Sequence, residues 1–275
     1  MSAITTATVA SGFDRTLPRH VSLRQTWRDT LIMTRRSLIK MRRTPEQLID
    51  VTLQPIIFTV MFTYIFGGAI AGDVQSYLPL FIPGILVQTV LTASASAGTN
   101  LREDMDKGVF DRFKSLPIAR IAPLTGALTG DLVRYLIAGT ITFVMAYLMG
   151  YHPGGGIVGV AGTMLLVMAC AWSLSWIFAL VGVSMKSARG VQGIAFLILF
   201  PLTFLSSAFV PTESMPGWLQ AFVKINPVTH IITAARELCN YGTFGTDGWV
   251  ALGGAALVIA VFAPLTVRKY RTHTE

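Results

Sequence analysis

Acidic side chains are scarce in this sequence and charge of either sign is thin: Asp and Glu number 14, Lys and Arg 22, and charged residues together only 13%. Soluble globular domains carry about a quarter of their residues charged. With 52% hydrophobic residues, a soluble globule is excluded. Two cysteines, Cys170 and Cys239, supply neither a disulfide framework nor a metal site. His152, His230 and His273 stand far apart in the chain without a carboxylate cluster, a poor basis for the converging acid and base groups of a membrane enzyme. No G-x-x-x-x-G-K-[ST] phosphate loop occurs, so the chain lacks the P-loop means of cradling ATP. No catalytic residue, metal or cofactor is expected on it. The first twenty residues also lack the apolar core of a cleavable signal peptide, and the first apolar run is expected to serve as the insertion signal.

Long hydrophobic runs are plentiful, and mean hydropathy is +0.59. A helix needs about 20 apolar residues to cross a hydrocarbon core of roughly 30 Å. Six windows meet that length: Val51 to Ala71, Leu78 to Gly98, Leu132 to Tyr151, Ile157 to Met185, Val191 to Val210, and Trp249 to Val267. The sequence thus predicts an all-α polytopic membrane protein with six spans. Basic residues crowd before the first span, between spans two and three, between four and five, and after six. Only Lys224 and Arg236 fall on the other side. Both termini are therefore expected in the cytoplasm, with the chain multi-pass in the plasma membrane. The net charge of +8 reads as this topology signal plus attraction to anionic membrane lipid, without a nucleic-acid partner.

Residues 1–21 read as a flexible cytoplasmic arm. Over residues 22–44, Leu23, Trp27, Leu31, Thr34, Leu38 and Met41 share one face at helical period while arginines and lysines take the rest. That pattern suits a helix lying in the headgroup plane and ended by Pro45, although a positive-inside flank would carry the same charge. Residues 45–270 form the membrane domain, and 271–275 a cytoplasmic tail.

Between spans two and three lies a charged island, Leu101 to Arg120. It holds Glu103, Asp104, Lys107, Arg112 and Lys114 beside a stripe of Val109, Phe110, Phe113 and Leu116. A solvated positive loop would explain the charge. The aromatic stripe, opened by Gly108 and stopped by Pro117, favours a short docking helix at about residues 103–116. Asp131 and Arg134, three residues apart, can pair on one helix face at the membrane boundary. The other five spans hold no Asp, Glu, Lys, Arg or His, which disfavours an ion-coupled carrier or a channel. After span five, residues 211–238 read as two short amphipathic helices at the outer interface, broken at Asn226 and Pro227.

The segments DVTLQPIIFTVMFTYIFGGAIAG, FIPGILVQTV, DKGVFDRFKSLPIAR, GALTGDLVRY, FPLTFLSSAFVP and MPGWLQAFVKINPVTHIITAAREL, in this order and spacing, closely resemble the type-2 ABC exporter permeases. The nearest branch is the daunorubicin/doxorubicin-resistance permease family of actinobacteria, and the resemblance spans about Trp27 to Tyr270. It implies a half-transporter that pairs with a second permease copy, expected to be identical. Two copies of a separate ATPase subunit that binds ATP and Mg would drive the pair. On that resemblance residues 22–44 are the elbow helix, 103–116 the coupling helix, and 211–238 the outer re-entrant pair. The ATPase-coupling residues expected are Glu103, Asp104, Lys107, Gly108, Phe110, Arg112, Phe113 and Leu116, with Phe110 and Phe113 filling a groove on the partner. Phe58, Phe62, Phe196, Phe200 and Phe204, with Gln88 as a polar contact, are candidates to line the path of a small amphipathic substrate, drug or lipid. Aromatic stripes at helical spacing also serve ordinary helix packing.

Overall fold

The structure is a computed structural model that describes residues 22–110, 118–119, 121–212 and 215–274. The expected arm at 1–21 and the island residues Arg112, Phe113, Lys114 and Leu116 lie outside the described residues. Nine α-helices occur among the described ones: α1 Leu23–Arg43, α2 Pro45–Ala71, α3 Val74–Asp106, α4 Ala122–Leu148, α5 Gly156–Ser184, α6 Ala188–Phe204, α7 Gly217–Ile225, α8 Pro227–Tyr241 and α9 Thr246–Thr274. Pro45, which lacks an N–H, stops α1 and opens α2 at its first turn. Asp73 caps α3: its carboxylate accepts from the backbone N and the hydroxyl of Ser76, each at 2.8 Å. Those two bonds hold the Asp73 carboxyl below the usual range.

Helices α3 and α5 form the core. Tyr77, Phe81, Ile85, Leu86 and Leu91 of α3 are buried against one cluster with Val167 and Phe178 of α5. Five helical segments are long and apolar enough to cross a membrane: Val51–Ile70, Val74–Asp106, Ala122–Leu148, Gly156–Ser184 and Thr246–Tyr270. The sixth expected span, Val191 to Val210, departs from the hydropathy reading. Its helix α6 has 17 residues, a rise of about 25 Å, and ends at Phe204.

Residues 205–210 continue without regular helix, yet Ser206, Ser207, Ala208 and Phe209 are all buried. Irregular backbone at membrane depth is tolerated only when protein satisfies its polar groups. Here side chains from other helices do so. Asn226 Nδ2 donates to the carbonyls of Leu202 at 2.8 Å and Leu205 at 2.9 Å. Tyr77 Oη donates to Phe209 O at 2.9 Å, and Arg236 reaches Leu80 O at 2.9 Å and also Ser207 O. Gly84 lets α3 approach this segment, since a Cβ there would collide with the backbone of Ala208.

Helix α1 packs on the bundle mainly by a side other than the apolar stripe expected in the headgroup plane. Asp29, Met33 and Met41 are buried, whereas Trp27 and Leu31 are exposed. The cause lies on α4, where Gly126 and Gly130 form a small-xxx-small step that receives Met33 and Ser37; a Cβ on Gly130 would meet Ser37 Oγ at 2.6 Å. Thr30 and Thr125 hydroxyls meet at 3.1 Å along the same contact. Trp27 and Leu31 thus remain as an outward apolar stripe.

Candidate functional site

Two regions carry the expected site residues. The first is a run of rings. Phe196 meets Phe200 at a tilt with centroids 5.1 Å apart, Phe200 stacks on Phe204 at 4.6 Å, Phe204 meets Phe209 at 5.2 Å, and Phe209 meets Phe62 at 5.0 Å. Phe62 continues to Phe58 at 5.6 Å and Phe66 at 5.3 Å on α2, and to Phe81 of α3 at 6.3 Å. These separations fall within the range of favourable aromatic pairs. All five phenylalanines proposed from the sequence belong to this one ladder, and Phe209, in the irregular segment after α6, joins the two helices. Exposure is graded along it, from 65% at Phe196 through 37% at Phe204 to 7% at Phe209. The ladder thus has an open end on α6 and a closed end in the core. Gln88 is buried further along α3, with Oε1 lacking a hydrogen-bond partner.

The second region is the end of the bundle where basic residues gather, called here the basic end. Gly108, at φ +65°, ends α3 in the left-handed conformation. Glu103 pairs with Lys107 at 3.6 Å near the surface, and Arg102 reaches Asp106 and the Met185 carbonyl. Two expected contacts with a partner turn inward instead. Asp104 accepts from Lys40 Nζ at 2.5 Å and lies 3.9 Å from Arg36, so it joins the end of α3 to α1. Phe110, expected in a partner's groove, is buried in this chain, 5.3 Å from the ring of Tyr270 and edge-on to it. That burial follows from the turn at Gly108, which carries the ring back onto the cluster with Leu101, Leu124 and Leu128. Near the far end of the island, the buried carboxylate of Asp29 accepts from Ala119 N at 3.0 Å. Helix α1 therefore holds the island near both of its ends.

Asp131 and Arg134 do meet, at 3.5 Å, but inside α4 with both side chains buried. They sit further into the helix than the sequence boundary at Leu132 implied, because α4 begins at Ala122.

The decisive comparison is with protein families. Residues 28–239 match the family described as ABC-2 type transporter. The chain belongs to the ABC-2 type transporter family. It is 45% identical over 243 residues to the daunorubicin resistance ABC transporter permease protein DrrB1 of Streptomyces coeruleorubidus, covering 88% of this chain and 86% of that protein. It is 24% identical over 250 residues to the probable doxorubicin resistance ABC transporter permease protein DrrC of Mycobacterium tuberculosis H37Rv, 89% of this chain and 90% of that one. A more distant relative is the putative transport permease ycf38 of Cyanophora paradoxa, 26% identical over 229 residues, 78% of this chain and 76% of that one. As an ABC-2 protein with several apolar membrane-length helices, the chain is a multi-pass permease, the membrane subunit of an ABC exporter.

Three features of this ABC-2 permease escaped the sequence reading. In the sequence Asn226 marks only a helix break, yet it caps α8 by accepting from Val228 N at 2.9 Å and holds the α6 terminus as well. Arg236, counted as an outer-loop charge, is a clamp on Leu80 and Ser207. His230 Nδ1 lies 2.5 Å from Asp247 Oδ1, linking α8 to the first turn of α9. The N-P dipeptide at 226–227 was the one local signal available.

Proposed function

We propose that two copies of this permease pair through α2 and α6, and that the paired ring ladders form the path for flat, amphipathic molecules expelled from the cell. The single observation that carries this reading is the continuity of the ladder, graded from exposed rings to a buried end. Two relatives are named for resistance to daunorubicin and doxorubicin, which favours a drug-like substrate over a lipid. A planar polycyclic molecule can exchange one ring–ring contact for the next, each worth about 0.5–1.5 kcal/mol beyond area burial.

Energy comes from a partner ATPase, two copies for two permeases, which binds ATP and Mg. In this reading the basic end faces the cytoplasm with both termini, in keeping with the excess of Lys and Arg there. Helix α1 is the elbow, the island the coupling helix, and α7 with α8 the outer re-entrant pair, which completes a six-segment membrane domain with the short α6 as its fifth. Phe113 is the groove-filling anchor, with Arg112, Leu116 and Glu103 around it. Phe110 and Asp104 act one step back, holding the island against α9 and α1.

Drug-stimulated ATPase activity and drug export of the complex test the path. Alanine at Phe62, Phe200 or Phe204 lowers both severalfold, while Leu197→Ala, an exposed neighbour on α6, leaves them near the parent value. Equal behaviour of all four variants assigns the rings to packing alone. For coupling, Phe113→Ala weakens co-purification of the ATPase by about 2 kcal/mol and Lys114→Ala by about 1 or less.

A further inference from the structure

On both of its helices the ring ladder starts one step after the same kind of residue. Gln54, Phe58, Phe62 and Phe66 follow one another at four-residue steps on α2, and Gln192, Phe196, Phe200 and Phe204 do so on α6. Side chains four apart on a helix are surface neighbours, and the ring centroids are accordingly 5.6 and 5.3 Å apart along α2 and 5.1 and 4.6 Å along α6. Each stripe therefore has a glutamine at its foot. Both feet lie at the basic end of the bundle. Helix α2 follows directly on α1, whose last turns reach the end of α3 through Lys40 and Asp104 at 2.5 Å; α6 begins just after Met185, whose carbonyl accepts from Arg102 of α3 at 3.0 Å.

Gln54 and Gln192 are both exposed, and among the described residues neither side chain makes a hydrogen bond. Their exposed neighbours are apolar, Leu53 and Ile57 beside Gln54, Phe196 and Leu197 beside Gln192. An amide set in apolar surface costs free energy unless a partner meets it. Phe196, the most exposed ring of the ladder, is the next step after Gln192, so a flat molecule lying on that ring has its edge within reach of the amide. We propose that Gln54 and Gln192 determine which flat molecules enter the ladder, by exchanging hydrogen bonds with polar groups on the edge of the substrate while the rings take its face. This assignment rests on the ladder being the export path. Because a glutamine amide both donates and accepts, the class selected is a planar aromatic that carries a donor and an acceptor, such as an amino or hydroxyl group together with a carbonyl. A bare aromatic hydrocarbon satisfies the rings alone.

The test uses the full permease–ATPase complex in lipid nanodiscs, with binding measured by equilibrium dialysis against empty nanodiscs. Two probes are compared: diaminoanthraquinone, which has amine donors and carbonyl acceptors, and pyrene, which has neither. Gln192→Leu and Gln54→Leu, made separately, each weaken diaminoanthraquinone binding about fivefold, the worth of one neutral hydrogen bond, and leave pyrene at the parent affinity. Phe200→Leu weakens both probes. If the parent does not bind pyrene, or Phe200→Leu weakens neither probe, the rings are not a path for flat molecules and the proposal falls with that reading. If Phe200→Leu weakens both, a glutamine whose loss matches the parent, or weakens pyrene as much as diaminoanthraquinone, is no selector, while the path stands. A glutamine variant that splits the permease pair on size-exclusion chromatography marks the amides as a contact between copies and overturns the proposal. Should one glutamine variant fail to fold, the other retains the comparison.

Discussion

Replacing Asn226 isolates the device that lets the α6 helix end inside the bundle. Its amide donates two bonds, to Leu202 O at 2.8 Å and Leu205 O at 2.9 Å, and its Oδ1 accepts from Val228 N at 2.9 Å. Asn226 is 3% exposed, so water does not readily replace what is removed. At about 1 kcal/mol for a typical protein hydrogen bond, or about 0.6 between helices in membranes, Asn226→Ala costs about 2–3 kcal/mol. Asn226→Ser restores the cap but not the two carbonyl bonds, and recovers about 1 kcal/mol of that loss. Equilibrium unfolding of the purified permease in mixed micelles measures both variants. The order parent, Ser, Ala supports the reasoning. If Asn226→Ala unfolds at the parent's midpoint, the carbonyls of 202 and 205 are satisfied by something other than this side chain, and the explanation of the broken span fails.

Tightness at the α1–α4 step predicts that Gly126→Ala costs about 1–3 kcal/mol by overpacking against Met33. Gly254→Ala, where the added methyl meets open space, is close to neutral in the same unfolding assay. Cys239 is buried beside the Thr163 hydroxyl at 3.2 Å, and burial pushes its thiol up to about 11. Maleimide labelling at pH 8 is therefore slow in the folded permease and fast after denaturation, because the reacting thiolate is scarce in the fold. Phe110→Ala empties a buried site next to Tyr270 and lowers stability by about 3–5 kcal/mol. Its effect is seen in unfolding of the permease alone, whereas Phe113→Ala acts on ATPase association.

Much of this architecture was legible from the chain. Five long apolar runs became membrane-length helices, and Pro45 ended a helix where its backbone chemistry requires, whereas Gly108, expected to open the docking stripe, instead ends α3 at φ +65°. The phenylalanines chosen by helical spacing on α2 and α6 fell on one ladder because a four-residue repeat puts successive rings on one face. What stayed hidden depended on partners distant in sequence. Hydropathy counted Leu205 to Val210 as span, since no local signal reveals that Asn226 and Arg236 hold its backbone in irregular form. The apolar stripe of α1 expected in the headgroup plane stays outward at Trp27 and Leu31, while the face that packs on the bundle is fixed by glycines about ninety residues further along the chain, which the periodicity of α1 alone does not reveal. Phe110 and Phe113 looked equivalent by spacing, and only the fold shows that Phe110 belongs to the interior. Phe209 follows the repeat of α6 out of register, in the segment where the helix has ended, so helical spacing does not single it out.

The path itself is tested by ATP-driven accumulation of a flat aromatic amphiphile in inside-out vesicles carrying the permease and its ATPase. The parent is compared with a variant combining Phe196→Leu, Phe200→Leu and Phe204→Leu. Leucine keeps an apolar side chain at each position but abolishes three ring contacts, at 5.1, 4.6 and 5.2 Å. A flat substrate that trades contacts with these rings loses about 0.5–1.5 kcal/mol at each, so accumulation should fall at least about tenfold; loss of the three internal pairs also lowers the unfolding midpoint, so transport is compared at equal amounts of folded, ATPase-bound permease. A triple variant that accumulates the compound at the parent rate, with the complex intact, would show that the substrate travels by another route.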